Sequence, residues 1–318
     1  MTIAFRRMSR RFAAVCFLTA ALAAVVVAVP VREIPIELRG GLVLVPVRVG
    51  HSRVLRLVLD TGMSFDGILL FGPPPESSVA GQLFEVRIPG AGTGEPAHGM
   101  MAESASFRAG PVEFAGQRMV WLVDGKMSGF PSDGVIGWSL FGHWQVEIDY
   151  DRQKIVLHEP GSFRPDSSWT VLPMELRKNN MPWVKLAASI AGDESLDLDS
   201  YLDLGARDEV VFLVGDDAKV KLPAGLEPGY LGRGLSGDVS GWKGRAAWLR
   251  LGPYRFDDVE VAYAPDDARS KHPGADAVVC SSLLARLNTV YDYAGGRIYV
   301  RPRGRKPQDD HHPRRKGA

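Results

Sequence analysis

From Gly41 the chain reads GLVLVPVRVG, an apolar run bounded by glycines, then a short GHS turn, then RVLRLVLD. Further on, PWVKLAASI is followed by AGDE and then by SLDLDSYLD. Each is a strand, turn, strand pattern that ends on an aspartate, Asp60 in one case and Asp203 in the other. The two aspartates lie 143 positions apart. The same offset relates DGVIGWSLFGHWQVEIDYDRQKIVL, from Asp133, to DAVVCSSLLARLNTVYDYAGGRIYV, from Asp276. AGPVEF around Gly110 matches LGPYRF around Gly252 at an offset of 142, one residue out of that register. Three separated blocks that agree in offset to within one residue identify a duplicated domain.

The pattern predicts short β segments punctuated by Gly, Pro, Asn and Asp, with helix-like stretches only around Ser139–Trp144 and Ser281–Leu287. The expected fold class is therefore all-β: two homologous, barrel-like lobes with a cleft between them. Their expected boundaries are 33–160 and 161–302, with the Pro- and Ser-rich EPGSFRPDSS as the link.

Residues 1–32 carry a different pattern. Arg6, Arg7, Arg10 and Arg11 precede an apolar run from Phe12 to Val29 that closes on small residues. This predicts an export signal or a membrane anchor, either of which places the lobes across a membrane, in the periplasm or cell envelope. Residues 303–318 are polar and basic and are expected to be disordered. The 318 residues include 38 basic and 37 acidic side chains, a balance that gives no reason to expect a nucleic-acid partner. Cys16 lies in the leader, so Cys280 is expected to be unpaired in the lobes, as a small packed residue. GRGLSG, 232–237, lacks the Lys-Ser/Thr ending of a phosphate loop and reads as a hairpin tip in the second lobe.

Val58-Leu59-Asp60-Thr61-Gly62 poses a chemical question, because an apolar strand runs straight into a carboxylate, and buried carboxylates need a partner. The repeat supplies one. If the lobes are related by a pseudo-two-fold axis, the loops at Asp60 and Asp203 meet there. Two carboxylates in hydrogen-bonding range share a proton and act as a paired general acid and base, able to activate water against an amide.

These residues carry a family resemblance. Asp60-Thr61-Gly62, Asp203-Leu204-Gly205-Ala206, Val135-Ile136-Gly137, the IDY and YDY strands and GRGLSG resemble the two-lobed aspartic proteases, above all duplicated retropepsin-like domains of exported bacterial proteins. The resemblance covers most of the chain between Leu42 and Arg301. It implies Asp60 and Asp203 as the catalytic pair, with Thr61, Gly62, Leu204, Gly205, Ala206 and Gly137 supporting them. It also implies a psi-shaped strand crossing beneath the active loop and a first-lobe flap within Ile88–Ser104. The expected substrate is a peptide or protein and the expected molecule a monomer, with no metal and no cofactor.

Three positions depart from the family pattern. Leu204 replaces a hydroxyl residue, so bracing of the pair is expected from Thr61 alone. Cys280, with Ala277 ahead of it, stands where the second psi glycines would be. Met63 and Ala206 lack the hydroxyl that some acid-active members carry, which predicts an optimum in mild rather than strong acid. Asp133 and Asp276 are expected to cap the psi strands, and Asp149 and Asp292 to sit in hairpins. The rival readings are an inactive exported module that binds peptide in the same cleft and a purely structural envelope domain.

Overall fold

The computed structural model describes residues 32–75, 79, 81–192, 194–265 and 272–304. The leader and the basic tail lie outside the described residues. Among those described, nearly every regular element is a strand. The first half comprises β1 (Arg32–Pro35), β2 (Glu37–Arg39), β3 (Leu42–Val49), β4 (Leu55–Leu59), β5 (Gly67–Leu70) and β6 (Leu83–Ile88). It continues with β7 (Ala97–Ala109), β8 (Val112–Leu122), β9 (Gly134–Ile136), the one-turn helix α1 (Trp138–Phe141), β10 (Gln145–Asp149) and β11 (Lys154–His158).

The second half repeats the order: β12 (Thr170–Pro173), β13 (Glu175–Arg177), β14 (Met181–Ser189), β15 (Leu196–Asp203), β16 (Val210–Leu213) and β17 (Pro228–Gly234). Then follow β18 (Gly237–Leu251), β19 (Tyr254–Ala264), β20 (Ala277–Cys280), α2 (Ser281–Leu284), β21 (Leu287–Asp292) and β22 (Arg297–Pro302).

Each half builds an eight-stranded sheet, ordered β2-β3-β4-β9-β5-β8-β7-β6 in one and β13-β14-β15-β20-β16-β19-β18-β17 in the other. Extra pairings, β3 with β7 and β14 with β18, curl each sheet toward a barrel. The topologies are identical strand for strand, as the 143-residue register requires.

A third sheet, β1-β11-β10-β21-β22-β12, takes three strands from each half. Its seam is antiparallel, with Val146 opposite Tyr291 and Ile148 opposite Thr289. Phe141 of α1 stacks on Tyr293 at 5.4 Å and meets Tyr291 edge-on at 5.1 Å, packing the first lobe's helix over the second lobe's strand. Asp149 and Asp292 occupy equivalent hairpins, accepting from the Arg152 and Gly295 N–H groups, each at 2.9 Å.

Strand alternation decides what reaches the cleft. Along β4, Leu55, Leu57 and Leu59 join the main core, while Val58 faces the other way among Leu42 and Leu44. Asp60 follows on that second face. In β15, Leu198 and Leu202 enter the core and Tyr201 turns outward, so Asp203 is presented in the same way.

Candidate active site

Both aspartates sit where a third strand crosses beneath them. β9 runs parallel to β4 and antiparallel to β5, and β20 does the same between β15 and β16, which is the psi-shaped crossing in each lobe. Backbone passes so closely in the first lobe that side chains are excluded. A Cβ on Gly134 would lie 2.1 Å from the Leu69 carbonyl, and one on Gly137 would lie 2.2 Å from the Asp60 carbonyl.

Asp133 and Asp276 lock the start of these crossings, as their positions suggested. Asp133 Oδ2 accepts the Arg56 N–H at 2.8 Å, and Asp276 Oδ2 accepts the Asp199 N–H at 2.9 Å. Burial pushes the Asp133 carboxyl up, but the Arg53 guanidinium and the Arg56 N–H prevail and hold it below its ordinary range. Equivalent backbone bonds tie each loop to its helix: Trp138 N–H to Met63 O at 3.1 Å, and Ser281 N–H to Ala206 O at 3.0 Å.

The second lobe tolerates Cys280 where the first requires Gly137. Cys280 has an ordinary φ of −103°, and its side chain packs with Met181, Trp183 and Tyr201 on the cleft face of β14 and β15. Burial and then the nearby Asp203 carboxylate push its thiol well above the usual range, so it is no nucleophile at neutral pH. A nucleophilic cysteine would also need a histidine base, and the histidines His143 and His158 are engaged elsewhere, with Asp66 at 2.6 Å and with Glu147 at 2.8 Å.

The two aspartate loops meet. Thr61 Oγ1 donates to the Leu202 carbonyl at 2.7 Å and accepts the Leu204 N–H at 3.2 Å, so a first-lobe hydroxyl brackets the second-lobe loop. Leu204 itself is fully buried in the core. The Asp60 carboxylate lies against Gly205, where a Cβ would come within 2.7 Å of Asp60 Cγ. Gly62 N–H donates to Asp60 Oδ1 at 2.6 Å, and Gly205 N–H to Asp203 Oδ1 at 2.8 Å.

Burial, and after it the Asp203 charge, raises the Asp60 pKa to about 7, with the Gly62 N–H opposing. Burial also raises Asp203, against the N–H groups of Gly205 and Ala206. Such a pair retains a proton at pH values where an isolated aspartate has lost it. Among the described residues no cluster of His, Cys, Asp and Glu is arranged to hold a metal ion.

Two apolar surfaces flank the pair. The first lobe contributes Leu69, Val120, Leu122 and Met127, joined by Phe65, Ile88 and Val135; the second contributes Trp183, Tyr201, Leu213 and Val278. Hairpins β6–β7 and β17–β18 extend from opposite lobes and touch at their tips. The tip of the β6–β7 hairpin lies within Ile88–Ser104, the range in which the resemblance implies a flap, and the second hairpin reaches it from the other side, a contact that sequence reasoning missed. A separate depression of about 530 Å³ is lined by Arg53, Phe71, Met127, Phe130 and Asp133 and includes neither Asp60 nor Asp203.

No family model matches the sequence, and no curated protein matches it. Solved structures do match the fold. The chain is similar to the aspartic proteinase from Irpex lacteus, with a TM-score of 0.54 and 12% identity over 86% of this chain and 98% of that one. It is also similar to Basic 7S globulin from soybean, with a TM-score of 0.50 and 12% identity over 86% of this chain and 95% of that one. The fold is that of the pepsin-like, two-lobed aspartic proteinases. One of these neighbours is described as a proteinase and the other as a globulin, so the activity must be argued from the site.

Proposed function

We propose that this chain is an aspartic-type endopeptidase of the duplicated, retropepsin-like kind, with Asp60 and Asp203 as its catalytic pair. The observation that carries the reading is the Thr61 bridge to Leu202 and Leu204, which fixes the two aspartate loops against each other. In the active form the pair holds one proton. The ionised carboxylate takes a proton from water as its oxygen attacks the peptide carbonyl carbon, and the protonated one donates to the carbonyl oxygen. Return of a proton to the amide nitrogen as the C–N bond breaks completes hydrolysis. The substrate is a peptide or protein lying in the cleft, and no metal or cofactor enters. The basic, then apolar leader supports export to the periplasm or cell envelope, with the leader cleaved or kept as an anchor, and a monomer suffices because one chain supplies both aspartates.

The test is cleavage of a denatured protein such as reduced casein, inhibition by a statine peptide, and loss of cleavage in Asp60→Asn and Asp203→Asn. One feature favours a second reading: Leu204 leaves the brace one-sided. Tight statine-peptide binding without cleavage would make the chain an inactive peptide-binding module.

A further inference from the structure

Three hydrogen bonds between the hairpin tips involve one residue, Ser236. Ser236 N–H donates to Ala91 O at 2.9 Å, Gly94 N–H to Ser236 O at 2.7 Å, and Gly90 N–H to Ser236 Oγ at 3.2 Å. Ser236 is buried by this contact, which its neighbours' small size permits. A Cβ on Gly92 would come within 2.5 Å of Gly237 O, and one on Gly234 within 2.6 Å of Ala91 Cβ.

Leu235, beside the latch, turns into the first lobe. It packs on the cluster of Leu69, Val120, Leu122 and Met127 with Phe65 and Ile88, and a Cβ on Gly90 would lie 2.7 Å from its own Cβ. That cluster has the strand parity of Asp60, not of the core: Leu69 alternates with the core residues Ile68 and Leu70, and Val120 with Met119 and Trp121. A second-lobe leucine thus sits on the first lobe's share of the cleft wall.

We propose that Leu235 occupies, in the resting molecule, the first-lobe site that a substrate side chain takes, so that β17–β18 is a second flap and Leu235 sets a preference for leucine-sized aliphatic side chains. This rests on the peptidase reading of the same cleft. A peptide enters by breaking the Ser236 bonds and lifting Leu235, and a side chain similar in size and polarity replaces it best. A carboxylate there meets no polar partner in the cluster and is disfavoured.

Three measurements test this. The probes are two statine hexapeptides that differ only in leucine or aspartate at the residue before the statine. Leu235→Gly is expected to raise the association rate of the leucine peptide about tenfold. Ser236→Ala, which removes the bond from Gly90 and leaves the two backbone bonds, is expected to raise the same association rate about threefold. Amide exchange in 89–96 and 234–237 is expected to be slow in the free protein and to quicken in Leu235→Gly. An association rate of the leucine peptide that is the same in Leu235→Gly as in the unaltered protein, or unprotected tips in the free protein, would overturn the proposal. If casein is not cleaved but these effects hold, the peptidase reading fails and the second flap stands. If casein is cleaved and Leu235→Gly alters neither rate nor exchange, the reverse is true. If neither peptide binds, the exchange measurement alone decides whether the tips are latched, and fast exchange rejects the latch.

Discussion

Thr61 and Leu204 stand one residue beyond the two aspartates in their respective lobes, and they are joined by a single bond, Leu204 N–H to Thr61 Oγ1 at 3.2 Å. The same hydroxyl donates to Leu202 O, so it fastens the partner loop on both sides of Asp203. Leu204 has no hydroxyl to return the contact and contributes packing instead. Thr61→Val keeps the shape and strands a buried carbonyl and a buried N–H, each worth roughly 1–3 kcal/mol. Chemical denaturation is expected to show a loss of about 2–4 kcal/mol, with kcat falling more than KM changes. Thr61→Ser, which keeps the oxygen, is expected to retain most of both.

Gly205 is where the first aspartate presses on the second loop. A methyl there would overlap Asp60 Cγ at 2.7 Å and displace a carboxylate, not a flexible chain end. Gly205→Ala is expected to lower kcat/KM by at least a hundredfold while the far-ultraviolet circular dichroism stays unchanged. In the first lobe, Gly137→Ala forces a methyl to within 2.2 Å of the Asp60 carbonyl and is expected to destabilise the fold by about 1–3 kcal/mol.

The raised Asp60 pKa fixes the direction of two pH effects. Activity needs one proton on the pair, so the rate is expected to persist through mild acid and to fall as pH rises past about 7. Sequence reasoning tied that rise to the missing hydroxyls at Met63 and Ala206, whereas the first cause in the structure is burial. For stability, the folded protein keeps a proton that the unfolded chain releases near an ordinary carboxylate value of about 4. This contribution is full below that value and is lost as pH climbs through about 7, opposite to the usual carboxylate. Melting curves of Asp60→Asn and wild type are expected to coincide near pH 4, to separate by several degrees by pH 7 in favour of the variant, and to stay separated above it.

Cys280 is buried, and its thiol is pushed well above its usual range by burial and by Asp203. Iodoacetamide is expected to leave the native protein unlabelled at this position at pH 8 and to label it fully in denaturant. Cys280→Ala is expected to cost about 1 kcal/mol or less, since a small volume is lost and no backbone contact.

The bilobed β architecture was legible because a duplicated chain compares itself with itself. Asp60, Asp203 and the capping aspartates Asp133 and Asp276 were found by register, and the structure gives the capping pair equivalent N–H bonds. The one-sided brace was legible through the family resemblance, which implies a hydroxyl after each aspartate where this chain has Thr61 and Leu204. The meeting of the flaps was not. Gly90–Gly94 and Gly232–Gly237 each read as a local turn, and nothing in either segment says that two long hairpins converge. That depends on how far each lobe curls, which β3–β7 and β14–β18 pairing sets through contacts distant in sequence.

The seam of the shared sheet bears on the chain's integrity. Each half brings a finished three-stranded antiparallel piece to it, and the halves meet through β10 and β21, while 159–169 joins β11 to β12 without adding a strand. A cut in that connector severs no strand. Made as separate polypeptides, the halves would each carry a bare edge whose natural cap is the other, so a nicked molecule should stay whole and two co-expressed fragments should find one another.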